Sequence, residues 1–194
     1  MPGQTSKDFV IAVMSRDRVG IVADVTRALN EMNGSVSALS QTVMRGYFTL
    51  IITVSFRKGV MRDAVRTAVQ KSGASGELEV SVKVREPEAT KGVPVDGDQF
   101  VLTIVGRDRR GIISRISAYL SSRGINIVDL YACAEAREFV LISQVMIPGR
   151  MDVRQIQIDL EGLSGGPDMA IHLQHQDVFV ATNEIEFRHK GRGC

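Results

Sequence analysis

FVIAVMSRDRVGIVADVTRALNEMNGSVSAL, from Phe9 to Leu39, aligns without a gap on FVLTIVGRDRRGIISRISAYLSSRGINIVDL, from Phe100 to Leu130. The offset of 91 residues, Phe9 to Phe100, holds beyond the quoted stretch: Phe48, Leu50 and Ile51 recur as Phe139, Leu141 and Ile142. A sequence repeated in constant register implies a repeated fold. The 194 residues therefore divide into two small domains rather than forming one large one.

Within each copy the hydrophobic period alternates between the two regular types. A near-continuous apolar run, Phe9 to Met14 and Phe100 to Val105, suits a central strand. Ile21, Val25, Ala28, Leu29 and Met32 then recur at helical spacing, as do Ile112, Ile116, Tyr119 and Leu120, with Gly34 and Gly124 as stop signals. A strand pair follows. Phe48, Leu50, Ile52, Val54 and Phe56 alternate with Tyr47, Thr49, Ile51, Thr53 and Ser55, so the first set points at the helices. A second amphipathic helix is written in Val60, Met61, Ala64, Val65, Ala68 and Val69, and again in Val153, Ile156, Leu160 and Leu163. The last strand alternates Leu78, Val80, Val82 and Val84 with polar residues, and its counterpart holds Met169, Ile171 and Leu173. The order βαββαβ predicts an α+β protein of two ferredoxin-like domains, each an antiparallel sheet with two helices on one face.

Residues 8–85 and 98–176 are the expected domains, 86–97 a linker rich in Pro, Gly and charge, and 177–194 a C-terminal tail. Apolar residues make up 44% of the chain and charged residues 24%, enough for a packed core with a solvated surface and against disorder. A net charge of +2 is too small to predict a polyanionic partner. Cys133 and Cys194 are too few and too far apart for a disulfide framework, and no apolar run approaches the roughly 20 residues that span a bilayer. Without an apolar signal core in MPGQTSK, a cytoplasmic location is expected. Apolar residues on both faces of the central strands predict a covered sheet, by the sister domain or by a homo-oligomer.

Chemistry is expected where the first strand hands over to the first helix, at SRDRVGI (Ser15 to Ile21) and GRDRRGI (Gly106 to Ile112). A helix N-terminus offers unpaired N–H groups to a carboxylate or phosphate. Gly20 and Gly111 permit close approach. Asp17 and Asp108 suit an ammonium, while Arg18, Arg109 and Arg110 suit an anionic group, so a zwitterion matches the pair of charges. The alternative is structural: the aspartates cap the helix and the glycines make the turn.

D-R-x-G-I, followed by G-I-N-I at Gly124 to Ile127, resembles the signature of ACT domains over both predicted units. The resemblance implies an amino-acid ligand between this loop and the start of the second strand, often at a domain interface. It implicates Asp17, Gly20 and Ile21 with Ser35, and Asp108, Gly111 and Ile112 with Asn126. Val19 and Arg110 stand where many members have proline, and Ser35 replaces an asparagine, so the second copy matches better. The paired arrangement most resembles the glycine cleavage system transcriptional repressor type. The loop is also similar to the N-terminal region of formyltetrahydrofolate deformylases, whose catalytic half has no counterpart here. The implied function is a non-catalytic regulator that binds a small metabolite and acts through a protein partner or its assembly state.

RNA recognition is the rival reading of the same βαββαβ order, with a pure protein-interaction module beside it. RGYFTL (Arg45 to Leu50) is weakly similar to an aromatic RNA-binding strand, but by parity Phe48 points inward and only Tyr47 could stack on a base. An enzyme lacks its usual constellations: there is no phosphate-binding Gly-Lys loop and no GxSxG. His172 and His175 lie three apart on a predicted strand and face opposite sides, so neither a metal nor another cofactor is expected. Cys133 reads as a buried small hydrophobe, and His189 belongs to the basic end EFRHKGRGC.

Overall fold

The structure is a computed structural model that describes residues 7–57, 59–85, 97–164 and 166–181. The chain divides into two compact units, between the described stretches that end at 85 and begin at 97. The expectations for His189, Cys194 and all of the linker except Gly97 lie outside the described residues.

The first unit runs β1 (Lys7–Arg16), α1 (Ile21–Glu31), β2 (Ser35–Met44), β3 (Tyr47–Phe56), α2 (Arg62–Gln70) and β4 (Glu79–Val84). The second repeats it as β5 (Gly97–Arg107), α3 (Ile112–Ser122), β6 (Asn126–Glu135), β7 (Glu138–Pro148), α4 (Val153–Leu163) and β8 (Met169–His175). Each sheet is antiparallel, ordered β2-β3-β1-β4 and β6-β7-β5-β8. Both units have the expected α+β, ferredoxin-like order. Residues 176–181 form a short helical segment, where a tail is expected from 177 onward.

Each core lies between the sheet and its helices. Phe9, Ile11, Leu29, Leu50 and Ile52 are at most 1% exposed, and burying each such side chain contributes roughly 1.5–3 kcal/mol. The rings of Phe9 and Phe56 meet edge to face, with centroids 5.8 Å apart. Strand parity is as the alternation required: Phe48 is buried, whereas Tyr47 and Ile51 stand on the open side of the sheet.

Both first helices end in the same backbone device, in which Gly34 N–H reaches Leu29 O and Ile125 N–H reaches Leu120 O, each at 2.9 Å. The left-handed residue of the first is Asn33 (φ 58°), just before the stop signal Gly34, and of the second Gly124 (φ 68°). Gly34 answers a different demand, since a Cβ there would lie 2.6 Å from a ring atom of Phe56.

The helix layers differ. In the second unit the Tyr119 hydroxyl donates to Asp159 at 2.8 Å, Arg123 reaches the same carboxylate at 3.0 Å, and Gln155 donates to its other oxygen at 2.8 Å. Burial and this hydrogen bond push the Tyr119 hydroxyl up to about 12. At the equivalent places the first unit has Ala28, Ala68, Met32 and Ala64, and no such clamp can form.

Candidate functional site

The strand-to-helix loops are built on one skeleton. Asp17 N–H donates to Gly46 O and Asp108 N–H to Arg137 O, both at 3.0 Å, so each loop is tied to the following hairpin at equivalent residues. Gly20 (φ 95°) and Gly111 (φ 77°) then turn through the left-handed region, where a side chain is strained, and open the helix. Ile21 and Ile112 follow at 1% and 2% exposure. Their side chains anchor the helix in the core, so they can offer a ligand only backbone groups.

Neither aspartate is a cap. The residues that open α1 and α3 are the glycines, and no side chain caps either helix, unlike Asp152 at α4, which accepts from Arg154 N–H at 2.9 Å and Gln155 N–H at 3.3 Å. The exposed Asp17 and Asp108 carboxylates have no hydrogen-bond or ion-pair partner among the described residues.

Charge distinguishes the two loops. Arg18 bridges Glu77 and Asp24, the latter at 2.9 Å, and Arg27 also reaches Asp24 at 2.9 Å. The hydrogen bond from Arg18 holds the carboxyls of Asp24 and Glu77 below their ordinary values, helped by Arg27 at Asp24 and by the Ala74 N–H at Glu77. These carboxylates raise Arg18 in turn. Every guanidinium at the head of α1 is thus occupied by acid. In the second loop Asp168 replaces Glu77 and approaches Arg109 only to 3.9 Å, while the place of Asp24 is taken by Arg115. Arg115 donates to the backbone oxygen of Arg110 at 3.2 Å. The exposed Arg110 side chain has no partner among the described residues.

Ser35 and Asn126 do not join these loops within a domain. Ser35 pairs with Ser55 beside the start of β1, whereas the loop follows Arg16, which pairs with Tyr47 at the other end. Nine strand steps from Ser35 to Met44, at ~3.3 Å each, separate the two by roughly 30 Å. Asn126, opposite Met146, is displaced from Asp108 in the same way, and it borders an open depression of about 420 Å³ with Ser117, Ser121 and Gly124. Because the helix reverses the chain, the residues implicated together by resemblance sit at opposite ends of one sheet.

Other expectations resolve similarly. Tyr47 is outward but lies under the guanidinium of Arg16, 4.3 Å from its ring centroid. His172 and His175 face opposite sides, with the His175 ring edge-on to Phe100 at 5.2 Å. Cys133 is half-buried on the edge strand β6 instead of in the core, because an edge strand is covered on fewer sides. Among the described residues no helix is long and apolar enough to cross a membrane.

Two duplicated ferredoxin-like domains, each with a glycine-turned loop at the head of its first helix, define a tandem α+β protein. The chain belongs to the ACT-domain family, which it matches over residues 7–83 and 98–174. The UPF0237 protein of Clostridium acetobutylicum is 36% identical over 78 residues, 40% of this chain and 85% of that protein. The UPF0237 protein of Methanosarcina mazei is 38% identical over 86 residues, 44% of this chain and 91% of its own. Among solved structures, an unknown protein from Galdieria sulphuraria superposes with a TM-score of 0.71 at 24% identity, over 88% of this chain and 99% of that one. A protein designated a glycine cleavage system transcriptional repressor superposes with a TM-score of 0.59 at 18% identity, over 87% and 96%. These two structural likenesses extend the shared fold to the paired domains.

Proposed function

We propose that this chain is a non-catalytic, cytoplasmic regulator that senses an amino acid at the loop of its second domain. The observation that carries the reading is the arrangement at the head of α3. Asp108 presents a carboxylate without a partner among the described residues, next to Arg109 and Arg110 in sequence, and Gly111 opens the helix without a side chain in the way. An α-ammonium suits Asp108, and an α-carboxylate suits the first-turn N–H groups and the arginines. Membership of the ACT-domain family supports this reading, as does the likeness of the paired fold to a protein designated a transcriptional repressor.

The first domain serves chiefly as a structural partner, because Asp24 and Glu77 already occupy Arg18. Asn126 can reach a loop-bound ligand only from a second domain brought alongside. Regulation then follows from the ligand's preference for one assembly state over another, transmitted to a protein partner. Calorimetry of the intact chain against each amino acid tests the proposal. Saturable binding of one or a few, weakened about tenfold or more by Asp108→Ala, is expected. If none binds the intact chain, the reading fails.

A further inference from the structure

One end of the first unit gathers positive charge that the second unit lacks. β4, β1 and β3 are neighbours, spaced ~4.8 Å apart, with Val84 opposite Phe9 and Lys7 opposite Phe56. Lys83 and Arg85 therefore reach the same end as Lys7 and Arg57, and α2 starts there with Arg62 and Arg66. All of these basic side chains are exposed. Acids share the end without matching them. Asp8 approaches Arg85 to 3.8 Å, Asp63 lies 3.8 Å from Arg62 and 3.3 Å from Arg66, and Glu31 closes α1. Lys7, Arg57 and Lys83 meet no carboxylate among the described residues.

The offset of 91 residues puts Asp98, Pro148, Val153, Gln157, Gln174 and Gln176 at these basic positions, so the fold does not require the charge. Between Arg57 and Arg62 stands Met61, 73% exposed, at the residue that opens α2. Its counterpart is Asp152, whose carboxylate caps α4, whereas Met61 leaves α2 without a side-chain cap. The Met61 backbone (φ −91°, ψ 143°) has the extended conformation in which Asp, Ser or Thr caps a helix, so the position forgoes a cap that it could hold. An exposed apolar side chain among bases, standing where folding favours a polar one, marks a contact surface.

We propose that this end of the first unit docks a partner protein through an acidic segment with an apolar residue at its centre. Carboxylates meet Lys7, Arg57, Arg62 and Lys83, and the apolar residue covers Met61. Arginine pairs with a carboxylate through two parallel hydrogen bonds, and methionine adapts its shape to an apolar neighbour. The chemistry disfavours a nucleic acid. A single strand needs aromatic rings to stack on, and the exposed tyrosines lie elsewhere, Tyr47 opposite Arg16 at the far end of β1 and Tyr131 in the second unit. Asp8, Asp63 and Glu31 would repel a continuous phosphate backbone, whereas a polypeptide can leave them unopposed. The surface also lies at the opposite end of β1 from the first loop, so the inference does not depend on the amino-acid reading.

The test is fluorescence anisotropy of the intact chain with two labelled peptides, each a run of glutamates, one with leucines at its centre and the other with serines. The leucine peptide should bind saturably, weaken as salt rises, and lose roughly tenfold or more of its affinity when Arg57→Glu and Arg62→Glu are combined. The serine peptide should bind more weakly. Met61→Asp separates binding from stability: by supplying the missing cap it should raise the thermal midpoint while weakening the leucine peptide roughly tenfold. No saturable binding, or binding indifferent to the charge reversals or to Met61→Asp, overturns the inference. So does a labelled oligothymidine that binds more tightly than either peptide and responds to the same reversals. Amino-acid binding is read separately by calorimetry, so failure of one proposal leaves the other standing.

Discussion

Around the head of α1 lie two guanidiniums and three carboxylates, Arg18 and Arg27 paired with Asp24 and Glu77, and Asp17 apart from them. Around the head of α3 lie three guanidiniums and two carboxylates, Arg109, Arg110 and Arg115 with Asp108 and Asp168. The backbone beneath is the same in both, from the tie to the hairpin to the left-handed glycine. The comparison teaches that duplication preserved what the fold requires and released what a ligand would see. A core isoleucine cannot change without opening a cavity, whereas an exposed side chain on the first turn can reverse its charge at little cost to stability.

The shared skeleton gives the largest expected effect. Ile21→Ala and Ile112→Ala each remove a fully packed side chain and should each cost about 2–5 kcal/mol, measured by urea unfolding with hydrogen exchange resolved by domain. A large cost in one domain only would break the equivalence. Next comes ligand affinity. Giving the second loop the character of the first, by Arg110→Val with Arg115→Asp, should weaken amino-acid binding about tenfold in calorimetry. Unchanged affinity would mean that charge is not what separates the loops. Smaller again, Gly20→Ala and Gly111→Ala force a left-handed alanine and should each lower stability by about 1 kcal/mol, with equal shifts in thermal midpoint.

The smallest effect is a pH dependence of the first loop. Asp24 and Glu77 are held below their ordinary values of 3.8 and 4.5, first by the hydrogen bond from Arg18. A carboxylate depressed in the folded state stabilises it above the unfolded value, and that contribution is lost as pH falls through the folded value. Below about pH 4 the first loop should therefore loosen before the second, with the contribution kept small by solvent. Carboxyl chemical shifts followed through the acid range would detect it, and Arg18→Gln should move the Asp24 and Glu77 titrations up toward their ordinary values.

Most of the fold could be read from period and register, because Phe48, Leu50, Ile52 and their counterparts have to alternate wherever a sheet covers helices. Helix termini were less legible. Asn33 takes the left-handed turn as Gly124 does, and Gly34 is needed for another reason, because a Cβ there would run into Phe56 and Val54, twenty or more residues on. The loops were legible as loops, but their electrostatics were not. Glu77 lies 59 residues from Arg18, and no local pattern couples them. Carrying the offset of 91 residues forward would have paired Glu77 with Asp168 and Asp24 with Arg115, and so exposed the contrast. Resemblance grouped Ser35 with Asp17 as residues that meet a ligand often at a domain interface, and within one domain the length of the sheet separates them.

Two halves of the same fold on one polypeptide face a sorting problem as they fold, since each helix can meet a wrong partner of similar shape. The clamp between α3 and α4 works against the error. Were α3 to settle on α2, the Tyr119 hydroxyl would face Ala68 and find no acceptor; were α1 to settle on α4, half-buried Asp159 would lose the donors Tyr119 and Arg123 to Ala28 and Met32. A polar triangle of modest worth in the finished domain thus acts as an address label, by which each half of the chain finds its own helices.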